Sequence, residues 1–182
     1  DNKAVTVTGF TLTGTDATNY TLVQPANLTA NISKADLNVT GITASNRDYD
    51  TTRTAPLGGT ATVTPLGNDV VTVGGTAVGT FANKDAANNK LITITGVTIS
   101  GTDAGNYNLI QQTGLVANIT KATLTVTANN QTRDYGDVNP SLTYTITGYI
   151  NGENATTAAV TGTPSLSTTA TQVSNIGNYD IV

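Results

Sequence analysis

A chain of 182 residues with net charge −4, eight scattered basic side chains and no Cys, His, Met or Trp excludes several functions at once. Disulfides, thiol catalysis and Cys-ligated metals are ruled out, nucleic acid finds no clustered basic footprint, and no run of about 18 apolar residues exists to span a membrane. Charged residues make up only 11% against about a quarter in an average domain, and Thr, Asn, Ser and Gly fill the difference, a composition that favours strands over helices.

The opening DNKAVTVTGF already reads as strand, with no charged and apolar signal segment before it. The expectation is a piece of a longer protein whose export signal lies elsewhere. Next comes the turn-like GTDATNY, residues 14–20, and then the junction Asn31-Ile32-Ser33-Lys34-Ala35, which holds neither Gly nor Pro and resembles no flexible linker. Arg47-Asp48-Tyr49-Asp50-Thr51-Thr52 follows as a turn-rich stretch. Residues 74–90, GGTAVGTFANKDAANNK, read as a long loop in which Phe81 is either displayed or buried in the core. In KLITITGVTISG, Ile92 and Ile94 share one face and Val97 and Ile99 another, with the phase slipping at Thr95-Gly96, the spelling of a β-bulge or sharp bend. GTDAGNY, residues 101–107, then repeats the earlier heptapeptide. Period-two alternation resumes in Tyr107, Leu109, Leu115, Ala117 and Ile119, and again in Leu124-Val126 and Leu142-Tyr144-Ile146. The junction Asn118-Ile119-Thr120-Lys121-Ala122 again lacks Gly and Pro, and Arg133-Asp134-Tyr135-Gly136-Asp137-Val138-Asn139-Pro140 repeats the Arg-Asp-Tyr spelling.

Aligning Lys3 with Lys90 gives a shift of 90 − 3 = 87 residues, and the match runs to Val39 and Val126 with more than half the positions identical. A partial echo closes the chain, NIGNYDI at residues 175–181, with Tyr179 in the tyrosine place. Self-similarity at one period marks an array of structural units, and this period suits one small domain. The expected division is the tail of one unit (1–33), a complete unit (34–120) and most of another (121–182). An Asp, small residues, a Tyr and an apolar residue two further on spell the tyrosine corner of immunoglobulin-like sandwiches. The residues in question are Asp16 and Tyr20, Asp103 and Tyr107, and Tyr179. Leu22 and Leu109 stand where a disulfide-bonded domain carries Cys. The predicted fold is therefore all-β: tandem immunoglobulin-like β-sandwich modules arranged end to end.

On these residues the chain resembles the alternating YDG and MBG repeats of large bacterial surface proteins, including filamentous-haemagglutinin-like adhesins. Residues 34–120 look like the YDG type, with Arg47-Asp48-Tyr49-Asp50 at the naming motif and Asp50 where Gly is expected. Residues 121–182 look like the MBG type, with Tyr135-Gly136-Asp137, Asn139-Pro140 and Asn178-Tyr179. The resemblance implies an exported, repetitive protein of the bacterial cell surface and supplies no catalytic or ligand residues.

Chemistry is sparse. A Ser or Thr nucleophile has no His or Cys partner and no Ser-x-x-Lys spacing. Glu153 is the lone Glu, and Asp residues in turns normally bond their own backbone, so no enzyme is expected. Asp48 with Asp50, and Asp134 with Asp137 and Asn139, are the candidate calcium ligands, set against a plain Arg-Asp pair beside a turn. Lys34 and Lys121, near Asn31 and Asn118, are candidates for intramolecular isopeptide bonds. Triplets such as Asn27-Leu28-Thr29 and Asn118-Ile119-Thr120 match the glycosylation pattern, as chance allows in so Asn- and Thr-rich a chain. Two functions remain: a structural spacer whose partners are neighbouring repeats, or a module whose loops bind a host glycan or protein, with self-association into filaments or biofilm contacts as a further option.

Overall fold

The structure, a computed structural model, describes residues 2–182; Asp1, where the first expected piece begins, lies outside them. The architecture is all-β, with two single 3-10 turns and no α-helix among the described residues. In chain order the strands are β1 (Lys3–Val5), β2 (Leu28–Ala30), β3 (Ala35–Asn38), β4 (Thr40–Ala44), β5 (Arg47–Asp48), β6 (Thr54–Ala55) and β7 (Leu57–Thr62). They continue with β8 (Thr72–Phe81), β9 (Ala87–Ser100), β10 (Tyr107–Ile110), β11 (Val116–Thr120), β12 (Thr125–Ala128) and β13 (Tyr144–Thr147).

Two compact units share this chain. The first gathers residues 2–42, Thr60–Thr76 and Gly96–Gln112. In it β1 and β2 pair antiparallel, with Lys3 opposite Ala30 and Val5 opposite Leu28. β3 and β10 pair in parallel, with Tyr107 opposite Ala35 and Leu109 opposite Leu37. Its core consists of Leu37, Val39, Ile42, Val97 and Tyr107. Leu37 and Val39 lie two apart, so the alternation of the strand puts both on the buried side.

The second unit gathers Thr43–Gly59, Ala77–Thr95 and Thr113–Val182. Here the sheet runs β5-β11-β9-β8-β6. β11 lies antiparallel to β9, with Ala117 opposite Lys90, and parallel to β5, with Ile119 opposite Arg47. β6 lies antiparallel to β8, with Ala55 opposite Gly79. Phe81, Ile92, Ile94, Ala55, Ala117 and Ile119 make the core. Further along, β12 and β13 form an antiparallel pair with Val126 opposite Ile146, and a single bridge joins Thr168 to Ile181.

The phase slip read at Thr95-Gly96 falls inside β9. Gly96 adopts φ 86°, and the buried positions change from Ile92 and Ile94 to Val97, three residues on from Ile94. An unbranched backbone at positive φ lets one extra residue enter the strand without ending it.

Residues 74–90 are not a long loop. β8 continues to Phe81 and β9 begins at Ala87, so only five residues connect them, and Phe81 is fully buried. The glycines misled because in this strand they serve close packing rather than flexibility. A Cβ on Gly75, at φ 76°, would stand 2.1 Å from the Gly96 carbonyl oxygen. Binding through a displayed Phe81 is thereby corrected: its ring packs in the core with the Arg47 guanidinium 5.4 Å from its centroid.

Candidate functional site

The 87-residue repeat of sequence is also a repeat of conformation. Gly14 and Gly101 take φ 126° and 120°, Gly9 and Gly96 88° and 86°, and Asn2 and Asn89 53° and 51°. The heptapeptides fold alike. Ala17 N–H donates to the Gly14 carbonyl at 3.1 Å and Ala104 N–H to the Gly101 carbonyl at 3.3 Å, and single 3-10 turns follow at Ala17–Asn19 and Ala104–Asn106. Side chains repeat as well. The Gln24 amide donates to the Phe10 carbonyl at 2.9 Å, and Gln111 to the Val97 carbonyl at 2.8 Å. Asn31 and Asn118 each accept from a strand-entry amide, Asn2 and Asn89, both at 2.8 Å. This occupies the Asn oxygens once considered beside Lys34 and Lys121, and both lysines are exposed.

The surroundings of the two corners differ. Tyr107 is buried; its hydroxyl donates to Asp69 Oδ2 at 2.6 Å and accepts the Leu66 N–H at 2.8 Å. The Asp69 hydrogen bond, and then burial, raise the phenol above its usual value. Asp103 Oδ2 accepts the Val70 N–H at 2.8 Å, which ties the turn to the same loop. Tyr20 is exposed, as is Asp16. Tyr179 hydrogen-bonds its hydroxyl to the Asn175 carbonyl at 3.0 Å, four residues upstream.

The Arg-Asp-Tyr-Asp stretch is held by many partners, with the buried Arg47 Nε left without one among the described residues. Arg47 donates to the Asp48 carbonyl at 3.0 Å and the Thr52 carbonyl at 2.6 Å, and its ion pair is with Asp50. Asp50 also accepts the Thr52 amide and hydroxyl, each at 2.8 Å. Desolvation pushes the Asp50 carboxyl upward, but Thr52 and Arg47 outweigh it and hold the group below its ordinary value. Asp48 accepts from the Thr120 hydroxyl. Tyr49 donates its N–H to the Thr120 carbonyl at 2.9 Å, and its hydroxyl to Glu153 at 2.8 Å. Lys84 completes the group, with Nζ 2.8 Å from the same Glu153 oxygen and 5.5 Å from the Tyr49 ring centroid. The Asn151 amide donates to the Asp50 carbonyl at 2.7 Å.

The second Arg-Asp-Tyr stretch repeats part of this. Arg133 donates to the Asp134 carbonyl at 3.1 Å, as Arg47 does to that of Asp48, and its Nε reaches Asn139 Oδ1 at 2.8 Å. The Asn139 amide donates to the Ala170 carbonyl at 2.7 Å, and Asp137 N–H to the Asp134 carbonyl at 3.2 Å. The candidate calcium ligands Asp48, Asp50 and Asn139 thus spend side-chain oxygens on neighbours. No group of three or more His, Cys, Asp or Glu side chains is arranged to hold a metal ion among the described residues.

Asp69 and Gln112 were not singled out from the sequence, and Glu153 stood out there only as the lone Glu. Gln112 donates to the Ile42 carbonyl at 2.8 Å and accepts the Ile42 N–H at 2.9 Å, so its amide stands in for a strand. Identity at positions 24 and 111 marks Gln111 as positional; Gln112 faces Pro25 in the alignment and gives no such signal.

No helix among the described residues is long and apolar enough to cross a membrane. No curated protein and no solved structure matches the chain. Two domain families do, one over residues 33–114 and the other over residues 124–182. The repeats of this chain are accordingly a YDG domain followed by an MBG domain of the YGX type.

Proposed function

We propose that the chain is a non-catalytic run of structural repeats in an exported bacterial surface adhesin, dividing at residues 33/34 and 120/121, and that these modules follow end to end as a stiff spacer holding a distal binding region away from the cell. The observation that carries this reading is that the polar side chains of its turns and seams are engaged mainly by the chain itself. Arg47, Asp50, Tyr107, Gln111, Gln112 and Asn118 each bond a backbone or side-chain partner, which fixes geometry; Gln24 Oε1, Arg47 Nε and Tyr149 OH are the buried exceptions among the described residues. The short connection from β11 to β12, four residues without Gly or Pro, supports a junction with little slack. The weakly charged, Thr- and Asn-rich composition needs few counterions and tolerates changes in salt.

Small-angle scattering on chains carrying one, two and three YDG–MBG pairs tests the spacer. The longest dimension is expected to grow linearly with repeat number; a compact or random-coil profile overturns it. No metal enters this reading, and a melting midpoint unmoved by EDTA is the expected result.

A further inference from the structure

Two turns of the chain share one geometry and spend their last residue differently. Leu66-Gly67-Asn68-Asp69 and Ile150-Asn151-Gly152-Glu153 stand 84 residues apart (150 − 66), the spacing that also separates Pro56 from Pro140 (140 − 56). In each the fourth N–H donates to the first carbonyl, from Asp69 to Leu66 at 3.1 Å and from Glu153 to Ile150 at 3.0 Å. Gly67 and Asn151, both second in their turn, take φ 55° and 50°. The Asp69 carboxylate serves its own module and accepts the Tyr107 hydroxyl at 2.6 Å. The Glu153 carboxylate, one methylene further out, serves another. Its two partners, Tyr49 and Lys84, lie in the matched YDG stretch, while Glu153 itself lies in the matched MBG stretch.

Both sides of this contact belong to the second compact unit, and it consists of more than one pair. The Tyr49 hydroxyl and the Lys84 ammonium meet a single Glu153 oxygen, each at 2.8 Å, and the Glu153 side chain is only 13% exposed. Charge-assisted hydrogen bonds are short and strong, and partial burial strengthens them further. Beside them the Asn151 amide reaches the Asp50 carbonyl at 2.7 Å and the Thr51 hydroxyl at 3.2 Å. Thr51 holds φ 68°, a conformation that β-branched residues avoid, so the Asn151 bonds brace the Tyr49–Thr52 turn where its backbone is strained. Tyr179, which stands at the place of Tyr107, bonds the Asn175 carbonyl at 3.0 Å and does not engage the carboxylate of the turn.

We propose that the turn at residues 150–153 is a docking element that fastens the MBG domain to the YDG domain ahead of it, and that it fits a partner offering a tyrosine hydroxyl and a lysine ammonium side by side, next to an open backbone carbonyl. The tyrosine of the Arg-Asp-Tyr motif is then a docking residue, and Glu153 sets the order of the domains. An Asp at its place, as in Leu66–Asp69, serves the tyrosine of its own module; the longer Glu serves that of the domain before. The inference deepens the spacer reading and rests on its division at residues 120/121. Four connecting residues without Gly or Pro limit slack there but leave single bonds free to rotate, and the clasp supplies the missing constraint.

Residual dipolar couplings from the full chain test this, read separately for the five-stranded sheet and for the β12–β13 pair. One alignment is expected to fit both in the unmodified chain. Glu153→Ala is expected to require two, with the couplings of β12 and β13 reduced by more than about twofold while their amide shifts stay in place. Glu153→Asp is expected to behave like Glu153→Ala, because the shorter arm stops short of Tyr49. Should Glu153→Ala unfold β12 and β13, Tyr49→Phe combined with Lys84→Met, which leaves the sequence of the MBG domain untouched, gives the same reading. One alignment that persists in both Glu153→Ala and the Tyr49→Phe, Lys84→Met chain overturns the docking element and leaves the spacer standing. One alignment that persists in Glu153→Asp alone overturns the role of Glu153 in setting domain order. Two alignments in the unmodified chain overturn the clasp and the stiff junction together.

Discussion

Gly14 and Gly101 occupy the same place in two copies of one turn, at φ 126° and 120°, a region that side chains avoid. Around Gly14 a Cβ would meet nothing within 4 Å, whereas at Gly101 it would lie 2.3 Å from the Val70 carbonyl oxygen. Gly101→Ala therefore adds a collision to the strain, and is expected to lower stability in a urea melt by more than about 3 kcal/mol. Gly14→Ala is expected to leave that main transition in place; equal losses would contradict the difference in surroundings. The same contrast holds for the tyrosines. The raised Tyr107 phenol means that its neutral form stabilises the fold throughout the range below the ordinary phenol value, and that this contribution is lost as pH rises through the higher folded value. Ultraviolet titration should show a late-ionising component that Tyr107→Phe removes and Tyr20→Phe retains. Both Tyr positions were legible from the heptapeptide. Their partners were not, because Leu66 and Asp69 lie 41 and 38 residues upstream of Tyr107 and carry no local spelling of that contact.

Among the elements, β9 announced itself through Ile92, Ile94 and the slip at Gly96, since period-two burial is written directly in the side chains. β8 did not. Gly74, Gly75 and Gly79 punctuate it, and glycine spells a loop and a close backbone approach with the same letter. Gly79 faces Leu57 and Ala55, where a Cβ would come within 2.8 Å of the Leu57 side chain. Phe81 ends this strand as one of the largest fully buried side chains. Its amide donates to the Arg53 carbonyl at 2.8 Å, and its carbonyl accepts from Arg53 Nε at 2.9 Å, so ring and backbone are fixed together. Phe81→Ala is expected to cost about 3–5 kcal/mol, read from the denaturant midpoint. A loss below about 1 kcal/mol would fit a displayed ring instead.

For the molecule as a whole, the 87-residue period was legible because identity survived at the positions that set backbone conformation: the glycines, Asn2 and Asn89, Gln24 and Gln111. The link between distant stretches through Glu153 was not, since a single Glu among turn residues has no pattern to stand out from. Lys84 first and then Tyr49 hold the Glu153 carboxyl below its ordinary value, and the same bond raises the Lys84 ammonium. A lowered carboxyl stabilises the fold above the ordinary carboxylate range and stops doing so as pH falls through the lower folded value. Melting temperature is expected to drop on acidification through that window, and Glu153→Gln to flatten the drop. The effect should weaken in high salt, as Lys84 is partly exposed. An unchanged acid limb in Glu153→Gln would place the pH dependence on other groups.

The side-chain clasps of Gln111 on Val97 and Gln112 on Ile42 carry a chemical consequence of their own. Each closes a backbone with an NH2 group that water can slowly hydrolyse away. Deamidation at Gln112 would set a carboxylate against the Ile42 carbonyl, turning an attraction into a repulsion between two acceptors. Loss of either amide group would thus loosen the molecule at that seam, in one direction only and without any protease.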